Sequence, residues 1–216
     1  MVSKKLIDIS LPILPGMIVW PGSRKVEFKK WKRMDKGDRS NDTEIYINVH
    51  TGTHIDAPRH FIKDGKTIDQ IQLKRFIGKV YVVEIMGVNE ITAKDLSGAG
   101  IPISANRILC KTDNSQLWLY DNGVFFEDFV AFTADAAQWL IDRKVELVGI
   151  DYLSVQKYKD HPEVHRKLLG AGVTVLEGLN LHQVKPGYYT LFCFPLKLVE
   201  VEASFVRAVL YDGELK

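Results

Sequence analysis

The sequence predicts an α/β fold built as one domain over residues 1–216. Short runs rich in Val, Ile, Tyr and Leu dominate it, and three segments among them carry helix start and stop signals. No fixed-period repeat, low-complexity tract or linker divides the chain. Strands interspersed with helices fit α/β layers rather than a sandwich or a bundle.

In chain order, residues 44–50 form a strand candidate that feeds into a histidine-rich motif. Further strands are expected at 81–86, 107–111, 146–150, 173–176 and 189–194, each bounded by Gly, Asp or Pro. Thr92 can open a short helix ending near Gly98. Thr133 can cap a helix over 134–143, in which Ala136, Ala137, Leu140 and Ile141 fall at three-to-four spacing. Pro162 suits the first turn of a helix running through Leu169, with Gly170 to end it. The one basic run, Lys29 to Arg33 with Lys36 and Arg39 beyond, contains Trp31, which could serve as a base-stacking platform. Asp35, Asp38 and Asp42 dilute its field, so it reads instead as the exposed face of a hairpin.

Composition is that of an ordinary globular protein, 46% hydrophobic and 26% charged, and a net charge of +2 gives no general drive toward nucleic acid or membrane. A chain of this size buries roughly 70% of its unfolded surface, so it needs no disulfide or structural metal to fold. Cys110 and Cys193 lie in apolar runs and read as small buried hydrophobes. Asp8, Pro12 and Pro15 break any apolar core of signal length, and no stretch approaches the ~20 apolar residues of a membrane span. A cytoplasmic setting is expected.

The chemistry concentrates in His50-Thr51-Gly52-Thr53-His54-Ile55-Asp56-Ala57-Pro58-Arg59-His60-Phe61. Imidazole nitrogens and carboxylate oxygens are preferred ligands of first-row divalent metals. Gly52 between two threonines favours a strand that bends or ends there. His54 and Asp56, two apart, point to one side of an extended chain. Pro58 biases Ala57 to extended backbone and would carry His60 round the rim of the same site. Thr51 and Thr53 could orient the imidazoles by hydrogen bonds.

A second group comprises His161, Glu163, His165 and Glu177. His161 and Glu163 suit the start of the helix, where a carboxylate favours the dipole. His165 shares its helix with Val164, Leu168 and Leu169. Glu177 interrupts an apolar run, and a buried carboxylate is expensive unless paired or metal-bound. His182 falls in a polar stretch and is expected to be exposed.

With these residues the sequence resembles the cyclase family of metal-dependent hydrolases, which includes bacterial-type kynurenine formamidases and isatin hydrolases. The motif from His50 to Phe61 matches in full, and family-like segments recur at Gly16 to Gly22, Phe126 to Phe129, Gly149 to Ser154, Val164-His165 and Glu177 to Leu181. The resemblance implies a domain of the swivelling β/β/α type and an oligomer, a homodimer or homotetramer, with sites near the subunit boundary. It implies a divalent metal site, with Zn2+ as two ions or Mn2+ in its place. His50 and His54 would bind the first ion and His165 the second. Asp56 and Glu177 would be shared, His60 would be the acid/base, and Trp20 would line the substrate pocket. Two positions depart from the family pattern: Ser23 stands where many relatives have an aspartate, and Arg59 where the residue is often aromatic or small.

The implied activity is an arylformamidase, converting N-formyl-L-kynurenine and water to L-kynurenine and formate. A divalent ion acidifies water toward a pKa of ~7 and polarises a carbonyl. His60 would pass a proton to the leaving nitrogen, Trp20 would face the aryl ring, and Arg59 could meet a substrate carboxylate. The partner is thus a small aryl-formamide or related amide, with no nucleic acid and no membrane. A cyclic amide, lactone or ester-like substrate is the alternative, and a metal-binding protein without activity a more distant one.

Overall fold

A computed structural model describes residues 5–120 and 123–213. Its strands are β1 (Leu6–Asp8), β2 (Glu27–Lys32), β3 (Asp42–Tyr46), β4 (His54–Asp56), β5 (Ile77–Glu84), β6 (Glu90–Ile91), β7 (Arg107–Lys111), β8 (Ala131–Phe132), β9 (Leu147–Ile150), β10 (Thr174–Glu177), β11 (Gly187–Phe192), β12 (Ala203–Phe205) and β13 (Val209–Tyr211). Three α-helices stand among them, α1 (Ala93–Gly98), α2 (Ala134–Asp142) and α3 (Glu163–Gly170).

Nine strands form one mixed sheet in the order β1-β13-β11-β5-β7-β9-β10-β4-β12. The central strands β5, β7, β9 and β10 run parallel, and β4 joins antiparallel between β10 and β12. Parallel strands are buried on both faces, which explains their nearly continuous apolar sequences. Val82, Leu109, Leu147 and Leu176 pack on one side with Ile9, Ile55, Leu191 and Leu210. Ile108, Cys110, Val148, Ile150 and Val175 pack on the other, against Leu96, Leu140 and Leu168 of the helices. Each such Val, Leu or Ile side chain contributes about 1.5–3 kcal/mol by leaving water.

The expected strand at 44–50 is shorter than its sequence suggested. β3 stops at Tyr46, because Asn48 builds a turn: its side-chain oxygen accepts the His50 N–H at 2.8 Å and its carbonyl accepts the Thr51 N–H at 3.0 Å. β3 pairs only with β2, as a separate hairpin that carries the basic run. Lys29 there meets Glu44 at 3.3 Å, and Trp31 is exposed.

α1 opens with a reciprocal cap between Thr92 and Asp95. α2 begins where expected, but Thr133 does not cap it. Its hydroxyl bonds instead to Asp135 and the Ile91 carbonyl. Both cysteines are free and buried, and no helix among the described residues is long and apolar enough to cross a membrane.

Candidate metal centre

The site begins where two loops touch. Gly52 and Gly178 both have left-handed φ, +64° and +68°, and a Cβ on Gly178 would lie 2.1 Å from the Gly52 carbonyl oxygen. Glycine alone permits that approach. Thr53 fastens the contact: its hydroxyl donates to the Gly178 carbonyl at 2.5 Å and accepts the Leu11 N–H at 2.8 Å. β4 then starts with His54, whose antiparallel partner on β10 is Glu177. Asp56 follows on the same face.

Beyond β4, Ala57 is extended and Pro58 opens a single tight turn, Pro58–His60. The His60 N–H closes that turn on the Ala57 carbonyl at 3.0 Å, bringing the ring back over Asp56. His50 arrives from the Asn48 turn and His165 from the first turn of α3.

Two carboxylates are thereby wedged among four imidazoles. Asp56 Oδ1 lies 2.9 Å from His50 Nδ1 and 3.6 Å from His54 Nε2. Its Oδ2 lies 3.7 Å from His165 Nε2 and 3.9 Å from His60 Nε2. Glu177 Oε2 is 3.2 Å from His54 Nε2, and its Oε1 is 3.1 Å from His165 Nε2. The Gly52 carbonyl, 2.9 Å from His54 Nδ1, holds the proton there and leaves Nε2 facing the carboxylates.

These residues fit a divalent ion. His54 Nε2 and both Asp56 oxygens are buried and, though close to oppositely charged neighbours, complete no well-aligned hydrogen bond, so a cation among them would supply the partner they lack. His50, Asp56 and His60, and likewise His54, Asp56 and Glu177, bring ligand atoms within 4.8 Å of one another. Ligands of one tetrahedral ion lie about 3–3.5 Å apart, given bonds of about 2.0–2.2 Å.

The metal-free electrostatics agree. Burial opposes the charged form of His54, but Glu177 and Asp56 outweigh it and raise its pKa to about 9. His165 is raised for the same reason. Burial would lift both carboxyls, but the imidazoles hold Asp56 and Glu177 below the ordinary carboxylate range. A cation can therefore replace protons already attracted to this spot. His60 differs. Burial, with His50 and His165 nearby, lowers its pKa to about 4 against the pull of Asp56, so it is neutral at neutral pH.

The imidazoles and Glu177 line a cavity of ≈ 320 Å³ whose other walls are Trp20, Ser23, Asn48, Phe61, Leu153 and Ser154. Trp20 is held edge-on by Phe125 and Tyr158, both at 5.3 Å, and Phe61 stacks on His165 at 4.6 Å.

The structure thus brings His50, His54, Asp56, His60, His165 and Glu177 together and places Trp20 in the wall. Arg59 is not brought in: it is exposed, its guanidinium donates to the Lys63 carbonyl, and it lines a separate surface depression. His161 and Glu163 are exposed at the start of α3, and His182 is half-buried away from the site. Sequence reasoning missed Glu202, whose Oε1 lies 3.5 Å from His50 Nε2. It also gave no role to Asp151, a buried carboxyl that binds the N–H and hydroxyl groups of Thr112 and Ser115. Burial pushes that carboxyl up to about 6 despite those bonds. An Asx-turn reading of Asn48, two residues before His50, was available in the sequence. Glu202 offered no local signal.

The family profile described as "Putative cyclase" matches residues 7–157. Cyclase-like protein 2 of Arabidopsis thaliana is 37% identical, over 96% of this chain and 79% of its own length. A kynurenine formamidase of Salinibacter ruber is 36% identical over 96% of this chain and 98% of its own, and one of Erythrobacter litoralis 33% identical over 97% and 94%. A solved structure described as a "Potential Metal-Dependent Hydrolase With Cyclase Activity" superposes with a TM-score of 0.86 at 31% identity, over 99% of this chain and 100% of that one. An isatin hydrolase bound to the product analogue thioisatinate shares the fold, with a TM-score of 0.84 at 21% identity over 98% of this chain and 93% of that one.

Proposed function

Because the chain belongs to this cyclase family, we propose that it is a metal-dependent hydrolase of aryl formamides, acting on N-formyl-L-kynurenine to give L-kynurenine and formate. The observation that carries this reading is the pair of buried carboxylates among four imidazoles, with those imidazoles and Glu177 lining a cavity that Trp20 and Phe61 also wall.

Each carboxylate has one oxygen toward His54 and the other toward His165. That supports Asp56 and Glu177 as shared ligands, with His50 and His54 completing one ion site and His165 the other, in the two-Zn2+ form of the reading. A single Mn2+ is the alternative occupancy. A bound divalent ion supplies Lewis acidity toward the formyl oxygen and lowers the pKa of water toward ~7.

The protein's own contributions follow from position. His60 is neutral, reaches the cavity and sits beside Asp56. Its Nε2 can take a proton from the attacking water and hand it to the leaving nitrogen as the C–N bond breaks. Asp56 stabilises the imidazolium formed in between. Trp20 and Phe61 offer flat surfaces to the aryl ring. Arg59 faces solvent, so this reading assigns it no substrate contact within the chain.

A substrate panel on metal-loaded protein tests the proposal: N-formylkynurenine, formanilide, isatin and a simple lactone. The expected result is highest kcat/KM on the formamides. A preference for isatin or the lactone by more than tenfold would move the substrate class while leaving the metal centre in place.

A further inference from the structure

His165 lies in the first turn of α3, where backbone N–H groups have no partner within the helix. A polar side chain at the cap residue ordinarily serves them, but the residue there is Pro162, which makes no such bond. Gln156, eight residues before Val164 in the loop that leads into α3, takes over. Its Oε1 accepts the N–H of Val164 at 3.0 Å and of His165 at 3.4 Å. Its Nε2 donates to the Asp160 carbonyl at 3.2 Å, and its backbone N–H donates to Ser154 Oγ at 3.1 Å.

The neighbouring residue serves the facing ligand. Val155 donates its N–H to Glu177 Oε1 at 2.7 Å, the same oxygen that lies 3.1 Å from His165 Nε2. Ser154, Val155 and Gln156 are all buried. One tripeptide therefore holds His165 and Glu177 from behind while Ser154 lines the cavity in front.

We infer that Gln156 is a positioning residue for His165: it fixes the first turn of α3 so that the imidazole stays beside Glu177, and thereby sets how tightly the ion at that place is held. This rests on the metal-dependent reading of the site. Without the Gln156 oxygen, two buried N–H groups lose their acceptor and the turn that carries His165 frays. Loss of such supporting contacts costs roughly 10–100-fold in metal affinity.

The test is Co2+ affinity, measured by competition with a chromophoric chelator, for the full chain and for Gln156→Leu, Gln156→Glu, His165→Ala and the Gln156→Leu/His165→Ala double variant. Gln156→Leu is expected to weaken Co2+ binding by roughly 10–100-fold. Gln156→Glu, which keeps an acceptor oxygen, should recover most of that loss. On the His165→Ala background, Gln156→Leu should add nothing, since the group it positions is gone. Should Gln156→Leu fail to fold, Gln156→Asn, one methylene too short to reach both N–H groups, carries the same expectation. Wild-type affinity in Gln156→Leu (or in Gln156→Asn where it stands in), or an equal further loss on the His165→Ala background, would overturn the inference. Wild-type protein that takes up no Co2+ would instead overturn the metal reading beneath it.

Discussion

His54 and His60 both face Asp56, at 3.6 and 3.9 Å, yet their proton affinities diverge. His54 also meets Glu177 at 3.2 Å, and two carboxylates overcome its burial. At His60, burial and the neighbouring His50 and His165 imidazoles outweigh the pull of Asp56 and the weaker pull of Glu177. The first arrangement favours a cation and the second a neutral base, the separation of metal holding from proton transfer that the proposed function requires. His60→Ala should therefore lower kcat by about 10²–10⁴-fold, the usual worth of a positioned acid/base, with metal per chain unchanged by atomic emission. Asp56→Asn should do the reverse in order of cause: it weakens the shared ligand, so bound metal is lost and turnover disappears with it. If Asp56→Asn kept a full complement of metal, the shared-ligand role would be wrong.

At the scale of elements, the site depends on β4 and β10 being pinned where Gly52 meets Gly178. Gly178→Ala would force a Cβ to 2.1 Å from the Gly52 oxygen at a φ of +68°. We expect a loss on the order of 3 kcal/mol, from the strained backbone and the displaced loop together, visible as a lower midpoint in urea. Thr53→Val removes a hydroxyl that bonds both Leu11 and Gly178. Leaving the buried Leu11 N–H unpaired should cost about 1–3 kcal/mol. The strand at 107–111 and the helix beginning after Pro162 were legible in the sequence because both carry local signals: an apolar run with polar ends, and a proline at the start with a glycine at the end. The end of β3 was misjudged because the Asn48 side chain competes with strand pairing, a contest that periodicity does not register. Arg59 adjoins His60 in sequence, but successive residues of a tight turn point apart, so adjacency said nothing about which side it would take.

For the whole molecule, the centre was legible where chemistry is improbable in a core: clustered imidazoles in one motif, and Glu177 in an apolar strand. What joins those pieces was not legible: Glu202 reaches His50 only through the tertiary fold, and the Gln156 contact depends on the path of the loop before α3, which no local pattern marks. The same convergence of charge makes stability depend on pH and metal. His54 has a folded pKa of about 9 against 6.5 unfolded, so its stabilisation of the metal-free protein is full below pH 6.5 and fades as pH rises through 9. His60, at about 4, acts in the opposite direction: its contribution is full above pH 6.5 and fades as pH falls toward 4. Metal binding needs deprotonated imidazoles and strengthens as pH rises. The Tm gap between metal-loaded and chelator-treated protein should thus widen from pH 6.5 to 9, and with metal at 100 times its Kd it should reach about 5–10 °C. A gap that narrows over this range would contradict the proton–metal exchange.

If metal held by these residues drives formamide hydrolysis, N-formylkynurenine turnover must follow metal content, which steady-state rates of chelator-stripped protein and of samples reloaded to graded metal content would measure. We expect no turnover in the stripped protein and a rate that rises with metal per chain until the site is full. Undiminished turnover after stripping, or none at full loading, would contradict that dependence.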